Sequence, residues 1–461
     1  MAMRSRRRDV DVAVLGGGPA GSFAALTLVR RGLSVALIDP DIATPRLEGL
    51  SPRVVDILRQ HGLEQALDEA PQSVPRLARW NGTTTARNVE HLVERAAFDH
   101  ALRFAAAAAG VVCLIDRVRR LCRRQDSIRV ELEQGGAFSA RLAIDARGRR
   151  APRAPCRWRG PATLSVGRWL VSAGRPPATQ IAACRDGWLW CADAGASRTW
   201  VQATFDTALL PGRGRAAVQR CLQILLDQAQ AQSGLKVSAD GDWRGPVVVR
   251  NADTLCNAAQ FDPQMIRIGD AAMGMDPLSG HGLFWALSSA LSTAPIVTGL
   301  LDDPADGGEL ARRFYESRLA GTFWCQARLG RDFYRSEQRF GASRFWQRRQ
   351  GWPDDRPAHD DAVAPSFSRR VVIDDNRLRE AEVLVTAQEP DGVAWVAGLP
   401  IASIARRCLE QGLRGEQAVE SFRERCAPEA TVEQAAICFA WLRARGLLTG
   451  GADANFEGRG A

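Results

Sequence analysis

Apolar residues crowd Val10, Val12, Val14 and Leu15, and after a run of glycines they recur at helical spacing as Phe23, Ala24, Ala25, Leu28 and Val29 until Gly32. The pattern predicts a strand, a glycine turn over residues 16–21 (GGGPAG), a helix over 22–31 and a second strand over 34–38 that ends at Asp39. That order carries chemistry. Gly16 allows the tight turn, Gly18 lets the backbone approach a pyrophosphate, and Gly21 lets helix and strand pack closely; Pro19, Ala20 and Ser22 complete the turn and helix start. Asp39 stands where an acid accepts a ribose hydroxyl, so the segment predicts dinucleotide binding.

Beyond Asp39, residues 46–52 (RLEGLSP) read as a turn that presents Glu48 as a candidate catalytic carboxylate facing the cofactor. A short amphipathic helix follows to Gly62, and residues 74–92 read as strands of a second sheet. The run VERAAFDHAL, from residue 93, opens a helix with Arg95 at its start, where a guanidinium can grip phosphate or ribose oxygens in bidentate fashion. Strands over 111–115, 117–121, 127–132 and 141–145 come next, the last ending in a second glycine turn with Asp145, Ala146 and Gly148. From about residue 151 to 250 the strands are short and rich in tryptophan and valine, at 164–171, 188–191, 199–205 and 246–249, with one helix over 216–232. They predict an antiparallel sheet that floors a substrate pocket. Residues 267–282 (RIGDAAMGMDPLSGHG) then form a strand ending at Asp270, a loop with Pro277, and Gly280 and Gly282 before an apolar helix, with His281 as a candidate proton donor.

Past residue 300 the pattern is helical over 309–345, with Phe314, Leu319, Phe323, Trp324 and Phe333 as its apolar face. Prolines and aspartates mark 351–366 as a linker. Three short helices over 401–409, 416–426 and 432–445, the last opened by a Thr431/Gln434 capping box, and a short terminal strand suggest a winged-helix-like module.

Composition narrows the functional classes. A chain of 461 residues, 46% hydrophobic, can bury a large core in two or three domains. The net charge of +9 comes almost wholly from arginine, since Lys236 is the only lysine, and the arginines are spread along the chain. That spread excludes a nucleic-acid footprint and leaves a mildly basic docking face. Eleven cysteines without a CxxC pair and five scattered histidines indicate neither a disulfide framework nor a metal site. The arginines within residues 1–8 read as a solvated tail, and no stretch approaches the roughly 20 apolar residues of a membrane span. The expectation is a cytoplasmic protein that uses no membrane.

Taken together, GGGPAG with Asp39, VERAAFDHAL, IDARGR and RIGDAAMGMDPLSGHG resemble, over residues 9–300, the FAD-dependent monooxygenase and halogenase superfamily. The resemblance implies FAD as cofactor. It implies that Gly16, Gly18, Gly21, Asp39 and Arg95 hold the ADP half, that Val118 packs near the adenine, and that Asp145, Ala146 and Gly148 back the cofactor. By the same resemblance Asp270 meets the ribityl or pyrophosphate part, and Pro277, Gly280, Gly282 and Leu283 lie along the isoalloxazine. Halogenases of this superfamily use an active-site lysine, and Lys236 stands in the wrong region for it.

Within the superfamily, RLEGLSP, the tryptophan-containing sheet and the appended module are most similar to the flavoprotein monooxygenases of cysteine tryptophylquinone biogenesis, peptidyl tryptophan dihydroxylases of quinohaemoprotein amine dehydrogenase maturation. The resemblance implies a protein substrate carrying the target tryptophan, in a setting compatible with a maturation complex, and NAD(P)H or a reductase as electron donor. A free small aromatic substrate, halogenation and a flavin-binding assembly factor are the alternatives. The expected fold is α/β: a Rossmann-like FAD-binding domain (1–73, 93–155 and 256–300), an antiparallel-sheet substrate domain (74–92 and 156–255), a helical region (301–350), a linker (351–366) and a C-terminal helical module (367–461).

Overall fold

A computed structural model describes residues 9–43, 45–67, 73–154, 158–171, 176–195, 197–237, 242–257, 260–359, 364–413 and 418–448. The arginines of residues 1–8, together with Asp360 and Asp361 of the expected linker, lie outside them. The chain divides into two compact units, one of Met1–Val297 with Thr322–Arg356 and one of Thr298–Gly321 with Pro357–Ala461.

In the first unit a seven-stranded sheet forms around Val10–Leu15, which pairs in parallel with Val35–Asp39 on one side and with Ala137–Asp145 on the other. All-apolar runs on these strands are what burial on both faces requires: Val12, Ala13, Val14 and Leu15 are each fully buried. Helix Pro19–Val29 follows the first strand directly, with Pro19 at its first position, where a missing N–H costs nothing.

The second sheet has eight strands and is antiparallel except for one parallel pairing, Ala178–Cys184 with Val74–Trp80. Its two faces follow the period-two alternation of the sequence. Leu189, Cys191, Val201, Ala203 and Phe205 pack on one side with residues of helix Arg215–Ser233. Trp188, Trp190 and Trp200 face the other side with Tyr334, Phe345 and Trp346. Strand Ala178–Cys184, entirely unforeseen in the sequence pattern, lies at the centre of this sheet.

Three expectations need correction. Residues 46–52 are not a turn: Leu47–Leu50 is an edge strand paired with Thr83–Glu94, held there by buried Leu47 and Leu50. Helix Gly282–Asp302 does have the length and mean hydropathy (1.4) of a membrane span, but 67% of that window is buried in the protein, so its apolarity is that of a core helix. In the second unit the three helices form as Ile401–Glu410, Val419–Cys426 and Val432–Ala444, the last with the capping box at Thr431. The strand expected after Gly446 is a turn, and the strands lie before the helices, as the hairpin Ser366–Asp374 and Arg377–Val385. This unit is therefore α+β, with its own core around Ile401, Phe422 and Leu442.

Gly187 exposes how tightly the second sheet is packed. A Cβ there would stand 2.3 Å from the Thr204 carbonyl oxygen, a backbone atom that cannot swing away. Gly187→Ala is expected to cost about 1–3 kcal/mol in urea denaturation, with the spectrum of the folded state unchanged.

Candidate functional site

The glycine turn is shaped by contacts that only glycine permits. Gly16 has φ +106°, and a Cβ on it would meet the Ala146 carbonyl oxygen at 2.6 Å. A Cβ on Gly21 would stand 1.8 Å from the Gly16 carbonyl oxygen. The two strand ends thereby close on one another, and Ala146 N–H donates to the Leu15 carbonyl at 2.8 Å. Gly18 differs: the nearest atom to a Cβ on it is Nη2 of Arg95, 4.0 Å away. Packing fills the other two glycines; Gly18 borders open space at the start of a helix, where first-turn N–H groups lack intrahelical acceptors.

Asp39 and Ser22 fix the loop. Asp39 accepts from Gly17 N–H at 2.6 Å and from Asp41 N–H at 2.8 Å, and the Ser22 hydroxyl donates to the Gly17 carbonyl at 3.0 Å. Arg103, which the sequence analysis did not single out, donates to the same carbonyl at 3.1 Å. Asp145 is fully buried and holds Arg147 through Nε and Nη2 at 2.9 and 2.8 Å. Gly269 packs against Ala20, and Asp270 accepts from Arg149 Nε at 3.2 Å. Gly148 lies beside Asp270, whereas Val118 lies on strand Val118–Arg123 of the first sheet, opposite Leu132.

Glu48 joins three arginines. Its Oε1 accepts from Arg46 Nε at 2.6 Å, Arg95 Nη1 at 3.0 Å and Arg250 Nη1 at 3.2 Å, and its Oε2 from Arg95 Nη1 at 3.0 Å. Burial opposes its ionisation, yet the charges of Arg95, Arg46 and Arg250 outweigh that and hold the carboxyl far below the usual range. A carboxylate so held has no proton to give at neutral pH, so its surroundings fit an anchor and not an acid. Arg95 is in turn gripped by Asp99 through Nε at 2.7 Å; burial opposes its charge, but Glu48 and Asp99 raise its pKa. With Nε and Nη1 tied down, Nη2 is the arm directed to the glycine turn.

Between this cluster and the tryptophan face opens a cleft of about 960 Å³. Glu48, Asp270, Pro277, Gly280, Gly282 and Leu283 line it, as do Trp188, Trp190 and Asp276. His281 does not line it. Its Nδ1 donates to Gln326 Oε1 at 3.0 Å, which corrects the expectation of a proton donor in the pocket.

Asp276 and Tyr334 form the feature that sequence reasoning missed. The Tyr334 hydroxyl donates to Asp276 at 3.1 Å and accepts from Trp188 Nε1 at 3.2 Å, while Leu278 N–H donates to Asp276 at 2.9 Å. Burial pushes the Asp276 carboxyl up, opposed by Leu278 N–H, and burial together with Asp276 lifts the Tyr334 phenol well above its ordinary value. A second line runs beside it: Trp190 Nε1 donates to Glu90 at 3.3 Å, and Glu90 accepts from Arg76 at 3.0 Å. The available signal was position: Asp276 directly precedes Pro277 inside the glycine-rich loop, and Tyr334 is one of only two tyrosines.

Comparisons with known proteins show the fold and the cofactor. Residues 9–141 match the family model of the FAD binding domain. The chain is similar to the solved structure of QhpG, described as a peptidyl tryptophan dihydroxylase essential for tryptophylquinone cofactor biogenesis: 35% identity, TM-score 0.78, 95% of this chain and 100% of that one. CmlS, a flavin-dependent halogenase, shares the fold at 17% identity and TM-score 0.73, over 98% of both chains. LodB of Marinomonas mediterranea, which carries the description of an FAD-dependent oxidoreductase, is 23% identical over 378 residues, 74% of this chain and 97% of that protein. The cofactor is FAD.

Two measurements follow from the charges. Glu48→Gln leaves three guanidinium groups without their common anion, so a loss of about 3–5 kcal/mol in denaturation and a lower flavin-to-protein ratio are expected. The stabilisation from Glu48, whose folded pKa is depressed, is present above the ordinary carboxylate range and lost as pH falls through the folded value. Asp276 has the opposite sign: its raised pKa stabilises at low pH, and that increment is lost as pH rises through the folded value. Stability measured against pH should lack this step in Asp276→Asn; an unchanged profile would refute the raised pKa.

Proposed function

The chain belongs to the FAD-dependent monooxygenase superfamily, and we propose that it inserts oxygen into a tryptophan indole carried by a protein substrate, in tryptophylquinone cofactor biogenesis. The observation that carries this reading is the 35% identity to QhpG over the whole of that chain and 95% of this one. The site is compatible with it. A cleft walled by Trp188 and Trp190 gives an indole offset or edge-on aromatic partners and excludes water from one side.

FAD, when bound and reduced, supplies activated oxygen. The chain's own residues do the rest in this reading. Gly16, Gly18 and Gly21, with Pro19, Ala20 and Ser22, cradle the pyrophosphate, where Arg95 Nη2 adds a fixed positive charge. Asp39 takes the ribose, Val118 the adenine, and Asp145, Ala146 and Gly148 back the cofactor. Asp270 meets its middle portion, and Pro277, Gly280, Gly282 and Leu283 lie along the flavin ring. Asp276, aimed by Tyr334 and Leu278 N–H, accepts the proton that leaves the indole as its aromaticity is restored. Glu48 acts by locking Arg95 in place. Hydroxylation is favoured over halogenation because Lys236 is not among the residues that line the cleft.

Mass spectrometry of the precursor protein after turnover with reductant and O₂ should show one or two added oxygen atoms on a tryptophan, with free tryptophan unmodified. Modification of the free amino acid alone would replace this reading with the small-aromatic one. Asp276→Asn should slow product formation by about 10²–10⁴-fold at unchanged flavin content.

A further inference from the structure

The second unit carries a site of its own. Between the first half of helix Asp306–Arg335 and the hairpin strand Ser366–Asp374 lies a groove of about 1270 Å³. Five consecutive strand residues, 369–373, line it. Because neighbouring side chains on a strand point to opposite faces, a run without gaps means that the strand presents its edge to the groove.

Among the described residues that edge is open: the strand pairs there only with Arg377–Val385, in an unbroken register from Ser366 opposite Val385 to Asp374 opposite Arg377. Asp375 and Asn376 form the turn with φ of 44° and 61°, the two-residue type that makes Asp374 and Arg377 a hydrogen-bonded pair. Alternation then directs the N–H and C=O of Arg369, Val371 and Ile373 away from the partner strand. No backbone hydrogen bond to these groups is formed outside the hairpin among the described residues.

Arginines outnumber acids in the groove lining: Arg312, Arg313, Arg318, Arg369 and Arg370 stand against Glu316 and Asp391, with Arg312 paired to Glu309 and Glu316, and Arg313 and Arg369 to Glu380. Arg370 is exposed and has no ion pair among the described residues. Arg318 lies deep in the groove; burial lowers its pKa, Asp391 opposes that, and its Nε is buried without a hydrogen-bond partner. A buried donor left unmet is costly, and a carbonyl or carboxylate entering the groove would meet it.

We propose that this groove binds an extended acidic peptide segment of a partner protein, which adds as a strand to the edge at residues 369–373 while its carboxylates face the arginines. The inference rests on the reading of a protein substrate only for the partner's place in the reaction. Backbone pairing would supply the affinity and the arginines the selectivity for acidic over basic segments.

The test uses the flavin-loaded full chain and three fluorescein-labelled probes: a peptide of alternating glutamate and valine, its lysine counterpart, and the glutamate peptide with proline replacing every second valine. At low salt the glutamate peptide should bind, and Arg370→Glu, Arg318→Met and the lysine peptide should each weaken binding about tenfold or more. The proline-bearing peptide should lose as much, because it cannot complete the ladder. Equal binding of the acidic and basic peptides, no binding of the glutamate peptide, or unchanged binding by Arg370→Glu overturns the proposal. Undiminished binding of the proline-bearing peptide overturns the strand addition. Oxygen insertion into a short tryptophan peptide by Arg370→Glu, followed separately, should stay at the unsubstituted level, so that failure of the groove and failure of the monooxygenase reading remain distinguishable.

Discussion

One ionised carboxylate joins the parts of the catalytic unit. Glu48 sits on a short edge strand of the second sheet, Arg95 opens the helix that follows the neighbouring strand, and Arg250 comes from the far edge strand of the same sheet. These segments are distant in sequence, and each arginine would repel the others at this separation if the anion were absent. A half-buried cluster of three positive charges is tolerable only because Glu48 stays ionised under all of them, and this is what the depressed carboxyl expresses. The consequence reaches the cofactor loop, since the guanidinium that Glu48 and Asp99 immobilise is the one whose free arm is directed at Gly18.

The second sheet performs two tasks with one alternating pattern. Its apolar face is sealed by helix Arg215–Ser233, while the opposite face carries Trp188, Trp190 and Trp200; the Trp200 indole N–H is buried without a partner, and the other two are met. Tyr334 meets Trp188, and Glu90 meets Trp190. Each solution places an ionisable group at or behind the cleft wall. Burial raises the pKa of the Asp276 carboxyl, and a carboxylate of raised pKa is the stronger base that the proposed proton acceptance needs. Structural need and chemical capacity are here the same contacts.

The glycine turn proposed to cradle the cofactor was legible in the sequence because backbone sterics write it: Gly16 and Gly21 are glycines since nothing larger fits against Ala146 and the Gly16 carbonyl. The apolar strands and the capping box at Thr431 were legible for the same local reason. What escaped was set by tertiary convergence. Leu47–Leu50 contains Gly49 and runs into Ser51-Pro52, the signals of a turn, and only its pairing with Thr83–Glu94 makes it a strand. Asp276 and Tyr334 lie 58 positions apart, with no periodicity to connect them. His281 stood out for being a histidine in a glycine loop, yet local geometry turned its ring toward Gln326. The hairpin Ser366–Val385 was hidden because its arginines and glutamates mask the alternation of Val371, Ile373 and Leu378.

The near absence of lysine, one among 61 basic residues, gains a physical meaning from these sites. Burial lowers the pKa of Arg46 to about 10, despite the opposing pull of Glu48, and the group still remains charged at neutral pH. An ammonium in that position starts about two units lower, so the same burial penalty brings it close to neutrality and the cluster around Glu48 loses one of its three charges. The planar fork matters as much as the pKa. Arg95 spends Nε and Nη1 on two different carboxylates and still aims Nη2 in a third direction, a division that a single ammonium on a flexible stem cannot hold fixed. Permanent charge combined with fixed direction is what the proposed phosphate cradle and the proposed peptide groove both require, and arginine is the residue placed at both.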